Sequence, residues 1–310
     1  MLSKADKIAF TVLSIIAVLV IASLPFKSQI KALWFDKAVV LSSKEETGNN
    51  NSSSDRKTNQ VSGSPIQVAQ RWEMPAVLKE ISGVAYIDDN RMACVQDEQG
   101  KIYIYNPKKK EVEKEIPFAP TGDYEGIAIA GNTAFVLRAD GRLFEILNYN
   151  TKPSVVEHAT PLTEKQDVEG LAYDKKNNRL LLAIKGYEPN TKDYKGIYAF
   201  DLKTQKMAAD PVYKVDLMHT IWKDSKGKQK MEPSDLDIHP LTGDIYITDG
   251  AKPKLLIMDT AGNMKSLFPL DESKFPQPEG VAFTPEGELI ISSEGKNGSG
   301  SISKVLITGS

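Results

Sequence analysis

The chain has 310 residues, of which 41% are hydrophobic and 26% charged, enough to bury a full core in one large domain or two ordinary ones. Its formal net charge of −2 supplies no basic field of the kind that draws a protein to nucleic acid, so nucleic acid is not expected as a partner. The single cysteine, Cys94, cannot form an intramolecular disulfide and lies in the apolar run Met92-Ala93-Cys94-Val95, where a buried structural thiol is expected.

From Ile8 to Phe26 the chain runs nineteen residues without a charge, preceded by Lys4 and Lys7 and followed by Lys27 and Lys31. At a helical rise of about 1.5 Å per residue this run just spans a bilayer core of about 30 Å. Ser23-Leu24-Pro25-Phe26-Lys27 offers no clean small-x-small cleavage site and no cysteine follows for a lipid anchor. Residues 1–27 are therefore read as an uncleaved transmembrane signal anchor, with a cleaved signal peptide as the other reading. The lysines on the two sides are similar in number and leave the orientation open. Residues 28–65 form a juxtamembrane segment and linker. Trp34 and its apolar neighbours suit a membrane interface, and Ser42 to Pro65 is almost without apolar side chains and reads as a disordered tether.

After residue 66 a short phrase recurs: Ser82-Gly83-Val84-Ala85, Glu125-Gly126-Ile127-Ala128, Glu169-Gly170-Leu171-Ala172, Ser234-Asp235-Leu236-Asp237 and Glu279-Gly280-Val281-Ala282. The spacings of 43, 44, 65 and 45 residues are those of propeller blades, each a four-stranded sheet that cannot bury its faces alone. Every phrase is followed by alternating strands and polar turns, as in Ala134-Phe135-Val136-Leu137, Asp140-Gly141, Leu143-Phe144-Glu145-Ile146. The last unit has only three strands, and Ile66 to Trp72 is a strand without a unit, so pairing the two closes the ring. The expectation is an all-β, five-bladed β-propeller over residues 66–310, closed by an N-terminal strand. The 65-residue spacing is then one blade with an insertion around Asp224-Ser225-Lys226-Gly227-Lys228. A six-bladed ring, with a degenerate blade in that spacing, is the alternative.

Placing each phrase at the start of an innermost strand brings Glu125, Glu169 and Glu279 into one ring with Ser82 and Ser234. Converging carboxylates repel, and a bound cation, raised pKa values or nearby basic groups relieve this. An all-oxygen ligand set of this kind favours Ca²⁺. The competing reading is that each Glu accepts hydrogen bonds from neighbouring blades and staples the ring. Asp97, Arg138, Lys185, Asp249 and Glu294 follow the second strand of each unit and form a second candidate set for ligand binding. There Arg138 and Lys185 either hold an anionic group or pair with the ring glutamates. His158, His219 and His239 share no metal-ligand spacing, and no G-x-S-x-G, H-E-x-x-H or P-loop is present.

The phrases Tyr124-Glu125-Gly126-Ile127-Ala128, Val168-Glu169-Gly170-Leu171-Ala172-Tyr173 and Pro278-Glu279-Gly280-Val281-Ala282, with Ile290-Ile291-Ser292-Ser293-Glu294, resemble the SdiA-regulated (YjiK-like) family over roughly Ile66 to Ile307. The resemblance implies an N-terminal membrane segment in a bacterial cell membrane, a propeller on the periplasmic side, and bound calcium. Ser82 and Ser234 interrupt the glutamate series and leave the ligand set open. Two functions follow as expectations. One is a calcium-binding envelope propeller that binds a small anionic ligand or an envelope protein. The other is a calcium-dependent hydrolase, phytase-like or lactonase-like, in which Arg138 and Lys185 hold the anion.

Overall fold

A computed structural model of the chain describes residues 64–223 and 231–308. The expected membrane anchor and tether, and the centre of the expected insertion at residues 224–228, lie outside the described residues. None of the described helices is long and apolar enough to cross a membrane.

The described residues form five antiparallel sheets. Strand β1 (Ile66–Glu73) comes first in the chain. Blade 1 then runs outward from the axis as β2 (Ile81–Asp88), β3 (Arg91–Gln96), β4 (Lys101–Asn106) and β5 (Glu111–Pro117). Blade 2 is β6 (Tyr124–Ala130), β7 (Thr133–Arg138), β8 (Leu143–Leu147) and β9 (Ser154–His158). Blade 3 is β10 (Val168–Asp174), β11 (Arg179–Ile184), β12 (Tyr194–Asp201), β13 (Lys206–Met207) and β14 (Tyr213–Asp216). Blade 4 is β15 (Pro233–Ile238), β16 (Ile245–Asp249), β17 (Lys254–Met258) and β18 (Met264–Pro269). Blade 5 is β19 (Pro278–Phe283), β20 (Leu289–Ser293) and β21 (Ser301–Ile307), completed on its outer edge by β1, in the register Ile66 opposite Ile307.

The six-bladed alternative falls on blade 3. Its outermost strand is split, β13 and β14 pairing with successive parts of the same edge of β12. Pro211 sits between the halves, where a residue without an N–H interrupts a ladder. Beyond β14 the described chain makes one 3₁₀ turn, Thr220–Trp222, whose Trp222 is buried between blades 3 and 4. The long spacing thus adds a split edge and a loop, not a sheet.

The core lies between blades. Five clusters of buried apolar side chains each draw on two neighbouring sheets. Ile102 and Ile104 of blade 1 meet Val136 and Phe144 of blade 2, and Cys94 is fully buried where blade 1 meets blade 5. Burial pushes the Cys94 thiol well up, so it stays protonated and inert, as expected of a structural cysteine.

Close approach at the axis accounts for the second residue of the phrase. A Cβ on Gly126 would lie 2.7 Å from the Cβ of Leu171 in the next blade, which only glycine avoids. Blade 4 departs from this pattern with Asp235. Its carboxylate accepts from Leu171 N at 3.1 Å and Val281 N at 2.8 Å, amides on the inner edges of β10 and β19. One side chain therefore ties three blades together and satisfies two donors that lack a strand partner.

Candidate functional site

In every blade the first residue of the phrase is a β-bulge. The ladder passes from Tyr124 to Gly126, from Val168 to Gly170 and from Pro278 to Gly280, leaving Glu125, Glu169 and Glu279 without a partner residue; Ser82 and Ser234 are skipped in the same way. A bulge kinks the strand and re-aims the side chain. Five bulges at one height thus place five side chains around one end of the channel.

The two serines bind backbone. Ser82 Oγ donates to Tyr124 O of the next blade at 2.7 Å. Ser234 Oγ donates to Pro278 O at 3.0 Å and accepts from Gly250 N at 2.7 Å. An ionised glutamate has no proton to give such a carbonyl, and the three glutamates behave otherwise. Glu169, 4% exposed, accepts from Lys185 Nζ at 2.5 Å through Oε1, while its Oε2 is buried without a hydrogen-bond partner. Glu279 lies across Gly250, whose position leaves room for its carboxylate. Glu125 is half-buried, beside Asp123 and facing Glu169 and Glu279.

These environments favour the neutral acids. Burial, then the neighbouring Glu169 and Asp123 carboxylates, push Glu125 up to about 10. Glu169 is raised well above the carboxylate range by burial and Glu279, against the pull of Lys185. Burial brings Glu279 to about 6, with Lys185 opposing. Burial alone would lower the Lys185 ammonium, but Glu169, Glu279 and Asp167 raise it overall. The single lysine thus faces several carboxylates. Among the described residues no three carboxylate, imidazole or thiol side chains form a ready-made cage for a metal ion.

The second set of expected site residues divides. Lys185 joins the ring through Glu169. Asp97, raised to about 6 by burial and by Glu80, Glu98 and Glu294, has a buried Oδ1 without a hydrogen-bond partner. Glu294 accepts a hydrogen bond from Gln277 Nε2. Arg138 turns away. Its guanidinium makes a two-point contact with Asp140, Nε at 3.1 Å and Nη2 at 2.7 Å, and lies 5.7 Å from the centre of the Phe144 ring. Asp249 is consumed by its own turn, accepting from Glu232 N and Lys252 N at 2.9 Å each and from Lys254 Nζ at 2.6 Å. The histidines are also locally occupied: His158 pairs with Glu145, and His219 and His239 accept from backbone amides two residues on.

Sequence reasoning missed Lys195. It is 2% exposed, and its ammonium donates to Lys185 O at 2.5 Å and to Gly186 O, under the Tyr187 ring at 4.2 Å. It holds the turn that carries Lys185. A charged residue within the strand Tyr194–Asp201 was the available signal.

The family model for SdiA-regulated proteins matches residues 65–297, which takes in strands β1 to β20. The chain belongs to the SdiA-regulated family. No curated protein matches this family member by sequence. Among solved structures it is similar to a glutaminyl cyclase from Myxococcus xanthus, at 14% identity over 77% of this chain and 95% of that one, with a TM-score of 0.55. It is also similar to a structural genomics protein of unknown function from Bacteroides thetaiotaomicron, at 9% identity over 77% and 75%, with a TM-score of 0.50. The SdiA-regulated chain spans 66% of a streptogramin B lyase that it also matches, at 12% identity over 73% of its own length and a TM-score of 0.42. At these identities the likeness is one of fold.

Gly250 offers a test of the ring's packing. A Cβ there would lie 2.9 Å from Cδ of Glu279. Gly250→Ala is expected to displace that carboxylate and cost about 1–3 kcal/mol, read as a lower denaturation midpoint. An unchanged midpoint would show that Glu279 does not rest on Gly250.

Proposed function

We propose that this chain is a membrane-tethered, extracytoplasmic propeller that binds Ca²⁺ at its acidic channel mouth and engages a ligand or partner through that ion. The observation that carries the reading is the buried Glu169 Oε2, which has no hydrogen-bond partner although Glu125 and Glu279 face the same space. A buried carboxylate oxygen left without a partner is costly, and a hard cation is the partner such oxygens favour. Glu125, Glu169 and Glu279 would hold the ion. Backbone carbonyls and water are the kinds of ligand that complete such a shell. The bound ion would supply the positive charge that attracts an anionic ligand or an acidic partner surface. The residues 1–27 anchor and the following tether support the envelope location.

The hydrolase reading asks Arg138 and Lys185 to hold an anion. Arg138 is committed to Asp140 and Lys185 to Glu169, which supports binding over turnover.

The deciding experiment is the thermal unfolding midpoint of the full-length chain in detergent, with excess Ca²⁺ and with chelator. A ligand that binds only the folded state stabilises it by about 2.7 kcal/mol at a hundred times its Kd. The midpoint should rise with Ca²⁺, and the rise should vanish when Glu125 and Glu169 are both changed to Gln. Equal midpoints with Ca²⁺ and with chelator would remove the cation site and leave Lys185 as the neutraliser of the ring.

A further inference from the structure

The opposite end of the channel holds a cavity of about 1220 Å³ that plays no part in the cation site. Its walls are the second halves of the innermost strands and the hairpin turns that follow them, whereas the bulged glutamates begin those strands. Asp235, bonded to the flanking strands β10 and β19, lies between the two ends in sequence order along β15.

The composition of this end follows from the repeat. The fourth phrase residue is Ala85, Ala128 and Ala172 along the cavity wall, and these small side chains leave the channel wide. The next residue in each blade is large and apolar or aromatic: Tyr86, Ile129, Tyr173, Ile238 and Phe283, all but Ile238 and Ile129 carrying a ring. Among the alanines blade 4 places Asp237. Its carboxylate is held by the amides of Ile238, at 2.8 Å, and Phe283. No lysine, arginine or histidine among the described residues forms an ion pair with it. The other carboxylate of the lining, Asp174, is by contrast already paired with Arg179 at 2.8 Å. The wall therefore combines aromatic and aliphatic side chains with one anchored carboxylate that has no ion-pair partner, while its hairpin turns carry the exposed Lys175 and Lys176 and the half-buried His239, the pattern of a small-molecule site in which a few polar groups orient the ligand.

We infer that this cavity binds a small amphiphilic organic cation, an apolar body carrying an amine, with the amine on Asp237 and the body between Tyr86, Tyr173 and Phe283. The aromatic faces add attraction for a cationic head, and removal of the apolar body from water supplies the non-directional part of the binding. Nothing in this site depends on the carboxylates of the mouth.

The test is calorimetric titration of the folded full-length chain in detergent with phenylbutylamine and with phenylbutanol, blanked against empty micelles. The amine should bind saturably and at least about tenfold more tightly than the alcohol, the difference expected of a charge-assisted hydrogen bond. Asp237→Asn keeps an acceptor for the two amides and should erase the preference while leaving alcohol binding in place. Ala172→Leu narrows the cavity and should weaken both; Ala128→Leu serves the same purpose if the first variant does not fold. Absence of saturable amine binding, a preference that survives Asp237→Asn, or competition by Ca²⁺ would each overturn the assignment, the last by moving the amine to the acidic mouth.

Discussion

Changing Glu125 to Gln should stabilise the cation-free protein at alkaline pH. Burial and the facing carboxylates raise Glu125 to about 10, above its value of about 4.5 in an unfolded chain. A group whose folded pKa is raised contributes stability that is complete below the unfolded value and is lost as the pH climbs towards the folded one. The wild-type chain in chelator should therefore lose stability between about pH 4.5 and pH 10. Asp97 and Glu279, both raised to about 6, add to the early part of the fall. Gln keeps the shape without the charge. At pH 8 it should be more stable than the wild type by about 3 kcal/mol, allowing for the shared titration of the ring. That corresponds to about 6–12 °C in the midpoint of a domain of this size. Ca²⁺ should close the gap from the wild-type side. Paired pH-dependent melts of the two chains decide the matter: a Gln variant that melts with or below the wild type at pH 8 would mean that Glu125 is already neutralised by a group within the protein.

The second large effect is expected at Asp235, where the change that makes blade 4 conform to the repeat should damage it. Asp235→Gly restores the glycine of the other four phrases. It also leaves Leu171 N and Val281 N without their acceptor at a fully buried place. Each buried, unsatisfied amide costs about 1–3 kcal/mol, so the loss should be about 2–6 kcal/mol. Burial also raises the Asp235 carboxyl well above its usual range, against the three amides that favour its anion. Part of the loss is therefore recovered as relief from burying charge, most strongly at high pH. Chemical denaturation of the two chains at pH 6 measures the effect. A variant at least as stable as the wild type would show that the inner-edge amides find water instead.

The family, the five blades and the closing strand were legible because each depends on local repetition. Small residues recur where strands converge, and Ile66 to Trp72 had no other partner to pair with. The height of the ring glutamates was legible for the same reason. Their bulges were not, since a bulge is a mismatch between two strands and neither strand shows it alone. The fates of Arg138 and Asp249 were equally hidden. Arg138 is claimed by Asp140 two residues away and Asp249 by the turn that follows it, so a shared position in the repeat did not mean a shared direction. Blade 4 carried the most information in its departures: Asp235 and Asp237 stand where glycine and alanine recur, and both carboxylates serve the inner edge of blade 5. The 65-residue spacing left room for a sixth blade, and the split edge of blade 3, which pairs with β12 on both sides of Pro211, takes up part of it.

The pairing of β1 with β21 has a consequence for synthesis. Among the described residues the first strand made has as its partner the last strand made, with Thr308 N bonded to Pro65 O at the end of the ladder. Blades 1 to 4 draw their strands from contiguous chain and can form as they emerge. Throughout that interval β1 has an unsatisfied edge and carries an apolar side chain on each face, Ile66 on one and Trp72 on the other, a hazard for pairing with other chains. Contacts at such separation form slowly even after the chain is complete. Delivery of β21 therefore sets the clock: until that seven-residue strand emerges, the ring is an open arc that no degree of order in the earlier blades can lock.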